Sequence, residues 1–180
     1  MPFLATPIEG LIVFEPQIWK DDRGYFFESY NQKTFADGGI DAVFVQDNQA
    51  FSSFGVLRGL HYQVGDSAQA KLVRVIHGEV LDVAVDLRPD SKTYGEWYSI
   101  RLSAENAKQL FVPRGFAHGY LVLSETAIFC YKCDNFYDKE AEGGLNYNDK
   151  ALNINWELPE AKLLLSDKDK VYPPFGSHKI

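Results

Sequence analysis

The sequence has little cysteine and no long apolar run, and both absences narrow the classes of protein to which it belongs. Cys130 and Cys133 are its two cysteines, too few for the disulfide framework of a small secreted domain. No segment approaches the roughly 20 consecutive apolar residues that a membrane-spanning helix needs. Residues Met1–Gly10 lack the basic stretch and apolar core of a secretory signal. We therefore expect a cytoplasmic protein with no membrane partner.

Positive charge is also scarce. Lysine and arginine total 18 residues against 25 aspartates and glutamates, which gives a formal net charge of −7. Nucleic acids and anionic membrane surfaces attract proteins that present a basic field. The charge balance therefore argues against a nucleic-acid partner, although a local basic cluster is still compatible with one small anion.

Aromatic residues, by contrast, are abundant. The chain of 180 residues has 13 Phe, 10 Tyr and 3 Trp, and aromatic side chains favour the pleated, half-buried surfaces of β-sheets. Short apolar or alternating runs, such as Leu72–Ile76 and Ala127–Cys133, recur between turn sequences, without a linker or repeat. The pattern predicts a single all-β domain over residues 1–180, a jelly-roll β-barrel with short peripheral helices at Gln32–Asp37 and near Pro159–Leu164.

The two cysteines are spaced as a C-x-x-C motif, Cys130 to Cys133, but in a segment predicted to be a strand. Redox motifs of this spacing gain reactivity from a helix N-terminus, and strand positions three apart point to opposite faces. A structural zinc site needs about four ligands, and there is no second cysteine pair. We therefore interpret both as unpaired thiols. In the same strand, Phe129, Tyr131 and Cys133 are expected to share one face.

The four histidines differ in their sequence surroundings. His178 lies in a C-terminal tail where we predict no neighbours that give it a role, and His77 lies in a turn where we expect it to be solvated. His61 and His118 lie inside predicted strands. A strand histidine is more often a hydrogen-bonded core residue than a catalytic base, so the residues alone leave both interpretations open.

A metal site is not expected. Barrels of this kind often bind iron, zinc or manganese through clustered histidines and a carboxylate. The usual local pattern has two histidines two residues apart with a glutamate close behind, whereas here the positions hold His61 and Gln63 with no glutamate near. A second histidine at His118 alone is a poor complement.

Three arginines directly precede a glycine, namely Arg23, Arg58 and Arg114. Glycine removes the side chain that would obstruct a close approach, and arginine supplies a bidentate fork for phosphate. These pairs are equally compatible with an anion site and with solvated surface arginines. Asp82 and Asp86, inside an apolar run, also need partners, either from the protein or from a ligand.

Taken together, these segments resemble one family closely, the dTDP-4-dehydrorhamnose 3,5-epimerases, which are cupin-type enzymes acting on sugar nucleotides. The similarity runs from about residue 5 to about residue 175, and its most specific parts are Arg58–Gln63 and Pro113–Gly119. The other matching segments are Asp22–Glu28, Phe44–Asn48, Gln69–Val75, Gly78–Arg88, Leu102–Asn106, Tyr131-Lys132, Tyr137, Trp156 and Leu165–Asp169.

The resemblance implies a cupin-like jelly roll and an enzyme that inverts two sugar carbons. The family's substrate is dTDP-4-dehydro-6-deoxy-D-glucose and its product is dTDP-4-dehydro-L-rhamnose, in dTDP-L-rhamnose biosynthesis. The C4 ketone acidifies the protons on C3 and C5. A base removes one to leave an enolate, and an acid returns a proton to the opposite face. The family uses no cofactor and no metal, which agrees with the missing metal pattern.

The resemblance also implies four catalytic residues. His61 matches the base, since imidazole titrates near neutral pH. Asp169 matches the carboxylate that orients this histidine and stabilises its charged form. Lys71 matches the cation near the C4 oxygen, where preorganised charge stabilises an enolate. Tyr131 matches the proton donor, because a phenol with an ordinary pKa of about 10 is protonated at neutral pH.

Substrate-binding residues carry over in the same way. Tyr137 matches the aromatic ring that stacks on thymine, and Arg23 and Arg58 suit the diphosphate. Arg58 and His61 differ in strand parity, so both face one cavity only where the strand bulges or twists, and Gly59 offers a place for that. The other matching substrate contacts are Glu28, Gln46, Asn48, His118, Glu142 and Lys168.

The resemblance further implies an assembly. The family forms homodimers whose N-terminal strands reach across to the partner. Arg23 or Glu28 would then serve the neighbour's site rather than the site of its own chain.

Other functions stay open on the sequence. A related enzyme inverts C3 or C5 alone, or isomerises the keto-sugar, and a non-catalytic barrel binds a nucleotide sugar. Tyr131 favours the double epimerase, while a binding barrel has no need of the set formed by His61, Asp169, Lys71 and Tyr131. A metal-dependent oxygenase is a more distant alternative.

Overall fold

Short strands make up most of the fold, which a computed structural model describes for residues 2–180. One α-helix of this part of the chain, α1, spans Gln32–Asp37, and 3-10 turns span Gly65–Ser67 and Glu160–Lys162. No helix within these residues is both long and apolar enough to cross a membrane. The strands are β1 (Phe3–Ala5), β2 (Ile12–Phe14), β3 (Trp19–Asp21), β4 (Gly24–Phe26), β5 (Gln46–Ser53), β6 (Leu57–Gln63), β7 (Lys71–His77), β8 (Glu79–Asp86), β9 (Trp97–Ser103), β10 (Gln109–Val112), β11 (Phe116–Val122), β12 (Thr126–Cys133) and β13 (Glu142–Gly144).

The strands form two sheets and a separate hairpin. One sheet has six strands in the order β1-β2-β10-β7-β12-β5, and the other has five in the order β13-β6-β11-β8-β9. Neighbouring strands are antiparallel throughout both sheets, and β3 pairs with β4 alone. Two facing antiparallel sheets are the arrangement of a jelly roll, and the predicted all-β class is confirmed.

Both faces of the five-stranded sheet are covered. On the inner face, Ala84 and Val122 share a hydrophobic cluster with Val73 and Phe129 of the six-stranded sheet. On the outer face, a second cluster includes Trp156 and other apolar residues of the chain that follows β13. Strands β8 and β11 are therefore buried along almost their whole length. Each fully buried valine or leucine side chain contributes about 1.5–3 kcal/mol to folding relative to exposure.

The helix α1 begins and ends where the sequence predicts. The Asn31 side chain accepts hydrogen bonds from two backbone N–H groups of the first turn, and Gly38 follows the last residue. Phe35 is buried and anchors the helix in a third hydrophobic cluster. The second predicted helix, near Pro159–Leu164, is one 3-10 turn at Glu160–Lys162.

The two aspartates of the apolar strand β8 find partners within the protein. Burial tends to raise the pKa of Asp86, but hydrogen bonds from Arg88 and from two hydroxyl groups lower it to about 2. Asp82 is fully buried against His118. Both carboxylates are therefore satisfied by the fold without a ligand.

Candidate active site

A cavity of about 470 Å³ is lined by side chains from both sheets. The five-stranded sheet contributes Arg58 and His61 from β6 and His118 from β11. The six-stranded sheet contributes Lys71 from β7 and Tyr131 from β12. Strand pairing explains why the last two share a face, because Tyr131 lies opposite the residue two positions beyond Lys71 in β7.

His61 and Asp169 form a direct pair in the wall of this cavity. Nε2 of His61 lies 2.5 Å from Oδ1 of Asp169, and the side chains are 32% and 4% exposed respectively. The Ser166 hydroxyl donates to Oδ2 of Asp169 at 2.8 Å. Burial tends to raise the pKa of Asp169, but the hydrogen bonds from His61 and Ser166 lower it overall, so the carboxyl group is ionised at neutral pH.

Lys71 and Tyr131 each have a pKa shifted by burial. Desolvation lowers the pKa of the Lys71 ammonium, while Cys133, Asp82 and Glu142 oppose that shift. Desolvation raises the pKa of the Tyr131 phenol. Tyr131 therefore keeps its proton at neutral pH, and the Lys71 ammonium of the same cavity binds its proton less tightly than a solvated lysine does.

A bulge in β6 lets Arg58 and His61 face the same cavity. His61 pairs with His118 and Arg58 pairs with Tyr120, so two residues of β6 oppose the single residue between those partners in β11. Gly59 has a φ of 126°, and a Cβ there would lie 2.5 Å from the Cα of the facing glycine. The bulge predicted from strand parity at Gly59 is thus confirmed.

The buried histidine of the cavity has a carboxylate partner of its own. Nε2 of His118 lies 2.9 Å and 3.0 Å from the two carboxylate oxygens of Asp82. His61 and His118 are therefore each paired with one aspartate. Among residues 2–180, no three side chains of the types His, Cys, Asp and Glu come together as metal ligands would.

A second cavity, of about 320 Å³, shares His61, Lys71 and Tyr131 with the first. Four predicted substrate-binding residues line it, namely Gln46, Asn48, Tyr137 and Glu142. The amide of Gln46 donates to Asn48 at 3.1 Å, which fixes both side chains on the β5 wall. The second cavity is therefore a polar extension of the first, and the two join at the predicted catalytic residues.

Glu142 links the rim of this extension into a small network. The hydroxyl of Tyr137 donates to Oε2 of Glu142 at 3.1 Å, and Lys168 forms an ion pair with the same carboxylate. Burial tends to lower the pKa of Lys168, but the hydrogen bond to Glu142 raises it to about 12. Burial likewise tends to raise the pKa of Glu142, and Lys168 and Tyr137 lower it overall.

Three predicted substrate contacts lie outside the residues that line these cavities: Arg23, Glu28 and Lys168, the last of which reaches the rim only through its ion pair with Glu142. Arg23 is at the turn between β3 and β4, where its side chain is 89% exposed and paired with Asp21. Glu28 accepts a hydrogen bond from Asn31 at the start of α1. The role of Arg23 or Glu28 in a neighbour's site stays a prediction.

Sequence reasoning missed some residues of the site and misjudged one histidine. Ser166 precedes Asp169 by three residues, the spacing at which a hydroxyl often meets a following carboxylate and N–H, so a signal was present. The prediction that His178 has no neighbours is wrong, because its ring is buried between Phe175 and Tyr62. The exposed setting predicted for His77 is confirmed.

The cysteines are unpaired, as predicted. Cys133 lies on the cavity face of β12, and burial raises the pKa of its thiol to about 11. Cys130 lies on the other face, with its sulfur 3.6 Å from the side-chain oxygen of Gln49. Neither has the acidic thiol that redox chemistry requires.

Comparison with known proteins gives consistent matches over nearly the whole chain. The family model for dTDP-4-dehydrorhamnose 3,5-epimerase matches residues 5–177. A dTDP-4-dehydrorhamnose 3,5-epimerase of Shigella flexneri is 52% identical over 170 residues, covering 94% of this chain and 93% of the relative.

Two solved structures are similar in both sequence and fold. The dTDP-4-dehydrorhamnose 3,5-epimerase from Elizabethkingia anophelis NUHP1 is 55% identical with a TM-score of 0.93, covering 96% of this chain and 95% of that one. The dTDP-6-deoxy-D-glucose-3,5-epimerase from Legionella pneumophila Philadelphia 1, in complex with dTDP-4-keto-L-rhamnose, is 47% identical with a TM-score of 0.91. That match covers 96% of this chain and 91% of the Legionella chain.

Proposed function

Because this chain belongs to the dTDP-4-dehydrorhamnose 3,5-epimerase family, we propose that the cavity between its sheets is where C3 and C5 of the sugar are inverted. The chain is an isomerase that converts dTDP-4-dehydro-6-deoxy-D-glucose to dTDP-4-dehydro-L-rhamnose. One observation carries the assignment of the site. His61 of one sheet, held by Asp169, shares a cavity with Lys71 and Tyr131 of the other.

His61 acts as the base in this mechanism. The N–H at Nε2 donates to the ionised Asp169, which leaves the lone pair on Nδ1 free to accept a proton. Nδ1 takes the proton from C3 or C5, and the electron pair of the broken C–H bond moves onto the C4 oxygen as an enolate. Asp169 stabilises the imidazolium that forms.

Lys71 and Tyr131 complete the step from the opposite sheet. The Lys71 ammonium stabilises the negative charge on the enolate oxygen, while Tyr131 returns a proton to the face of the carbon that lies away from His61. One inversion leaves His61 protonated and Tyr131 deprotonated, and proton exchange with water restores both. Because its pKa is raised, Tyr131 is a neutral, protonated phenol at neutral pH and can donate that proton.

The two cavities together suit the nucleotide end of the substrate. Arg58 in the first cavity supplies a guanidinium fork for the diphosphate, and exposed Tyr137 in the second offers its ring face to thymine. Contacts to the remaining polar groups come from Gln46, Asn48, His118, Glu142 and Lys168. The mechanism needs no cofactor, because the ketone of the substrate itself provides the electron sink.

The wild-type protein is expected to exchange both carbon-bound protons with solvent. Incubated in D2O with dTDP-4-dehydro-6-deoxy-D-glucose, it should introduce deuterium at C3 and at C5, because each enolate is reprotonated by a group that has equilibrated with D2O. Proton NMR follows the loss of the two signals. We expect the same rates after dialysis against a chelator.

The pattern of exchange separates the alternative functions. Deuterium at one carbon only would identify a mono-epimerase, and exchange at neither carbon with retained nucleotide-sugar binding would identify a binding barrel. A chelator-sensitive rate would identify a metal-dependent enzyme. Each of these results would overturn the proposed double epimerisation.

We further infer that the protein works as a homodimer. The hairpin β3–β4 carries Trp19, Tyr25 and Phe26, whose exposed fractions of 56%, 65% and 69% are large for aromatic side chains. An exposed aromatic patch of this kind is typical of a protein interface. Arg23 sits at the turn of the same hairpin, so docking of the hairpin on a second copy would bring a guanidinium to that copy.

Mixed dimers test this assignment of Arg23. Arg23→Ala and His61→Ala chains are each expected to be nearly inactive alone. If Arg23 serves the neighbour's site, random mixing restores about one quarter of the wild-type activity, since half the dimers are mixed and each has one intact site. Co-refolded chains are assayed against each parent. Absence of any recovery in verified mixed dimers would place Arg23 in the site of its own chain, whereas a fully active Arg23→Ala parent would place it in neither site.

A further inference from the structure

The base of the proposed mechanism has an aromatic neighbour that no part of that mechanism uses. The rings of His61 and Tyr172 pack edge to face, with centroids 5.6 Å apart and an interplanar angle of 64°. Tyr172 contacts the imidazole ring itself, and the same ring makes its hydrogen bond to Asp169 through Nε2. Tyr172 is three residues beyond Asp169, so one short segment supplies both neighbours of the base.

A glycine in β13 makes room for this ring. Gly144 is the residue of β13 that pairs directly with His61. A Cβ built on Gly144 would lie 2.5 Å from three atoms of the Tyr172 ring, a separation that real contacts do not allow. Its φ is not in the left-handed region, so space for the ring, and not backbone conformation, is what requires glycine here.

The chain after Tyr172 is fastened to the sheet at several points. We call residues 170–179 the C-terminal strap. The carbonyl of Pro173 accepts a hydrogen bond at 2.9 Å from the backbone N–H of Asn146, two residues after the end of β13. Further along, the Tyr62 hydroxyl donates to the carbonyl of Lys179 at 2.9 Å. The C-terminal strap therefore contacts two consecutive residues of β6, His61 through Tyr172 and Tyr62 through Lys179. These contacts hold the strand that carries the base.

The hydroxyl of Tyr172 contributes little to these contacts. Its oxygen is buried and has no hydrogen-bond partner in the described part of the chain. The ammonium of Lys168 lies 5.8 Å from the centroid of the ring. The contact with His61 is made by the aromatic ring of Tyr172, and not by its hydroxyl.

We propose that Tyr172 is a positioning residue for the base: its ring, seated on Gly144, holds the imidazole of His61 in the rotamer that meets Asp169. This inference rests on the proposed role of His61. Without the ring, the imidazole gains space to rotate away from Asp169, and Nδ1 loses its fixed direction. Misplacement of a reacting group by about 1 Å costs on the order of 100-fold in rate.

The first experiment compares two substitutions of the same residue. Tyr172→Ala is expected to lower kcat by on the order of 10- to 100-fold with a smaller change in KM. Tyr172→Phe keeps the ring and is expected to stay within about twofold of wild type in kcat. Steady-state epimerisation and the thermal midpoint are measured for both. An inactive wild type would refute the proposed function, whereas an active wild type with fully active Tyr172→Ala would refute only this inference.

A matched control distinguishes positioning from a general loosening of the strap. Phe175→Ala removes another aromatic ring of the strap, one that contacts Tyr94 and not His61. We expect it to lower the thermal midpoint while kcat is retained. If Phe175→Ala loses kcat as Tyr172→Ala does, the strap acts only through stability and the proposal is wrong.

A double substitution tests the seat on Gly144. Gly144→Ala pushes the ring out of place and should lower kcat in the wild-type background. Combined with Tyr172→Ala, the added methyl group meets no ring, so the double variant should be no slower than Tyr172→Ala alone. Losses that multiply instead would mean that Gly144 and Tyr172 act independently, which contradicts the proposal.

Discussion

His61→Ala is expected to abolish deuterium exchange at both C3 and C5 and to lower kcat by about 100- to 10,000-fold, the range that one positioned general base contributes. The reason is geometric. Nε2 of His61 is committed to Asp169, and the mechanism takes both protons through the remaining nitrogen. The measurement is NMR of substrate incubated in D2O, together with steady-state epimerisation. The near-wild-type thermal midpoint expected for the variant separates lost chemistry from lost folding.

The matched control for this substitution is His77→Ala. His77 is exposed at the end of β7, where its ring nitrogen Nε2 lies 3.1 Å from the hydroxyl of Thr126. This variant should exchange both protons at the wild-type rate. Persistent exchange at either carbon in His61→Ala would show that another group removes that proton, and His118, paired with Asp82, would be the next residue to replace.

Lys71→Met is expected to lower kcat by about 100- to 1,000-fold, as loss of one preorganised oxyanion donor does. The substitution keeps the length and the apolar stem of the side chain but removes the charge beside the enolate oxygen. Burial lowers the pKa of Lys71, so the folded protein binds this proton more weakly than the unfolded chain does. The ammonium therefore destabilises the fold at neutral pH, and the variant should unfold at an equal or higher temperature.

Activity and stability are measured together on the same preparation. Lys150→Met, which removes an exposed lysine from a turn, serves as the control and should change neither quantity appreciably. A fully active Lys71→Met variant would rule out charge stabilisation of the enolate by this residue. A large loss of stability would show that the ammonium makes bonds in the fold that outweigh its desolvation.

Strand parity allowed the least obvious part of the site to be predicted. Arg58 and His61 are three residues apart and both polar, and a regular strand cannot direct both into one cavity. A glycine between them, Gly59, provides the position where β6 bulges. The pair of glycines after Asp37 likewise predicted where α1 ends, while the cap at Asn31, which fixes its start, is a local signal that the prediction did not use.

The cover on the outer face of the five-stranded sheet was not predictable in the same way. Its residues come from the long segment after β13, which has neither strand alternation nor helical periodicity. Trp156 and Phe175 pack against residues that are distant in sequence, so no local pattern indicates them. His178 stacks on nearby Phe175 but also packs on distant Tyr62, and Tyr172 packs on distant His61, which local sequence does not indicate.

The predicted roles of Arg23 and Glu28 depend on more than one chain. Their assignment depends on the resemblance, and the position of the hairpin β3–β4 in one chain leaves both apart from the cavities. A second molecule adds contacts that neither one sequence nor one chain contains. The aromatic exposure of the hairpin is the physical observation that points to such a molecule.

His61 lies in one sheet, and Tyr131 and Lys71 lie in the other. In the proposed mechanism the base and the proton donor therefore come from separate strands, so substitutions confined to β12 would change how the enolate is reprotonated while β6, which carries the base, keeps its sequence. Divergence toward a different product then requires changes in one layer of the sandwich only. The same scaffold can thereby acquire a new stereochemical outcome without rebuilding the group that starts the chemistry.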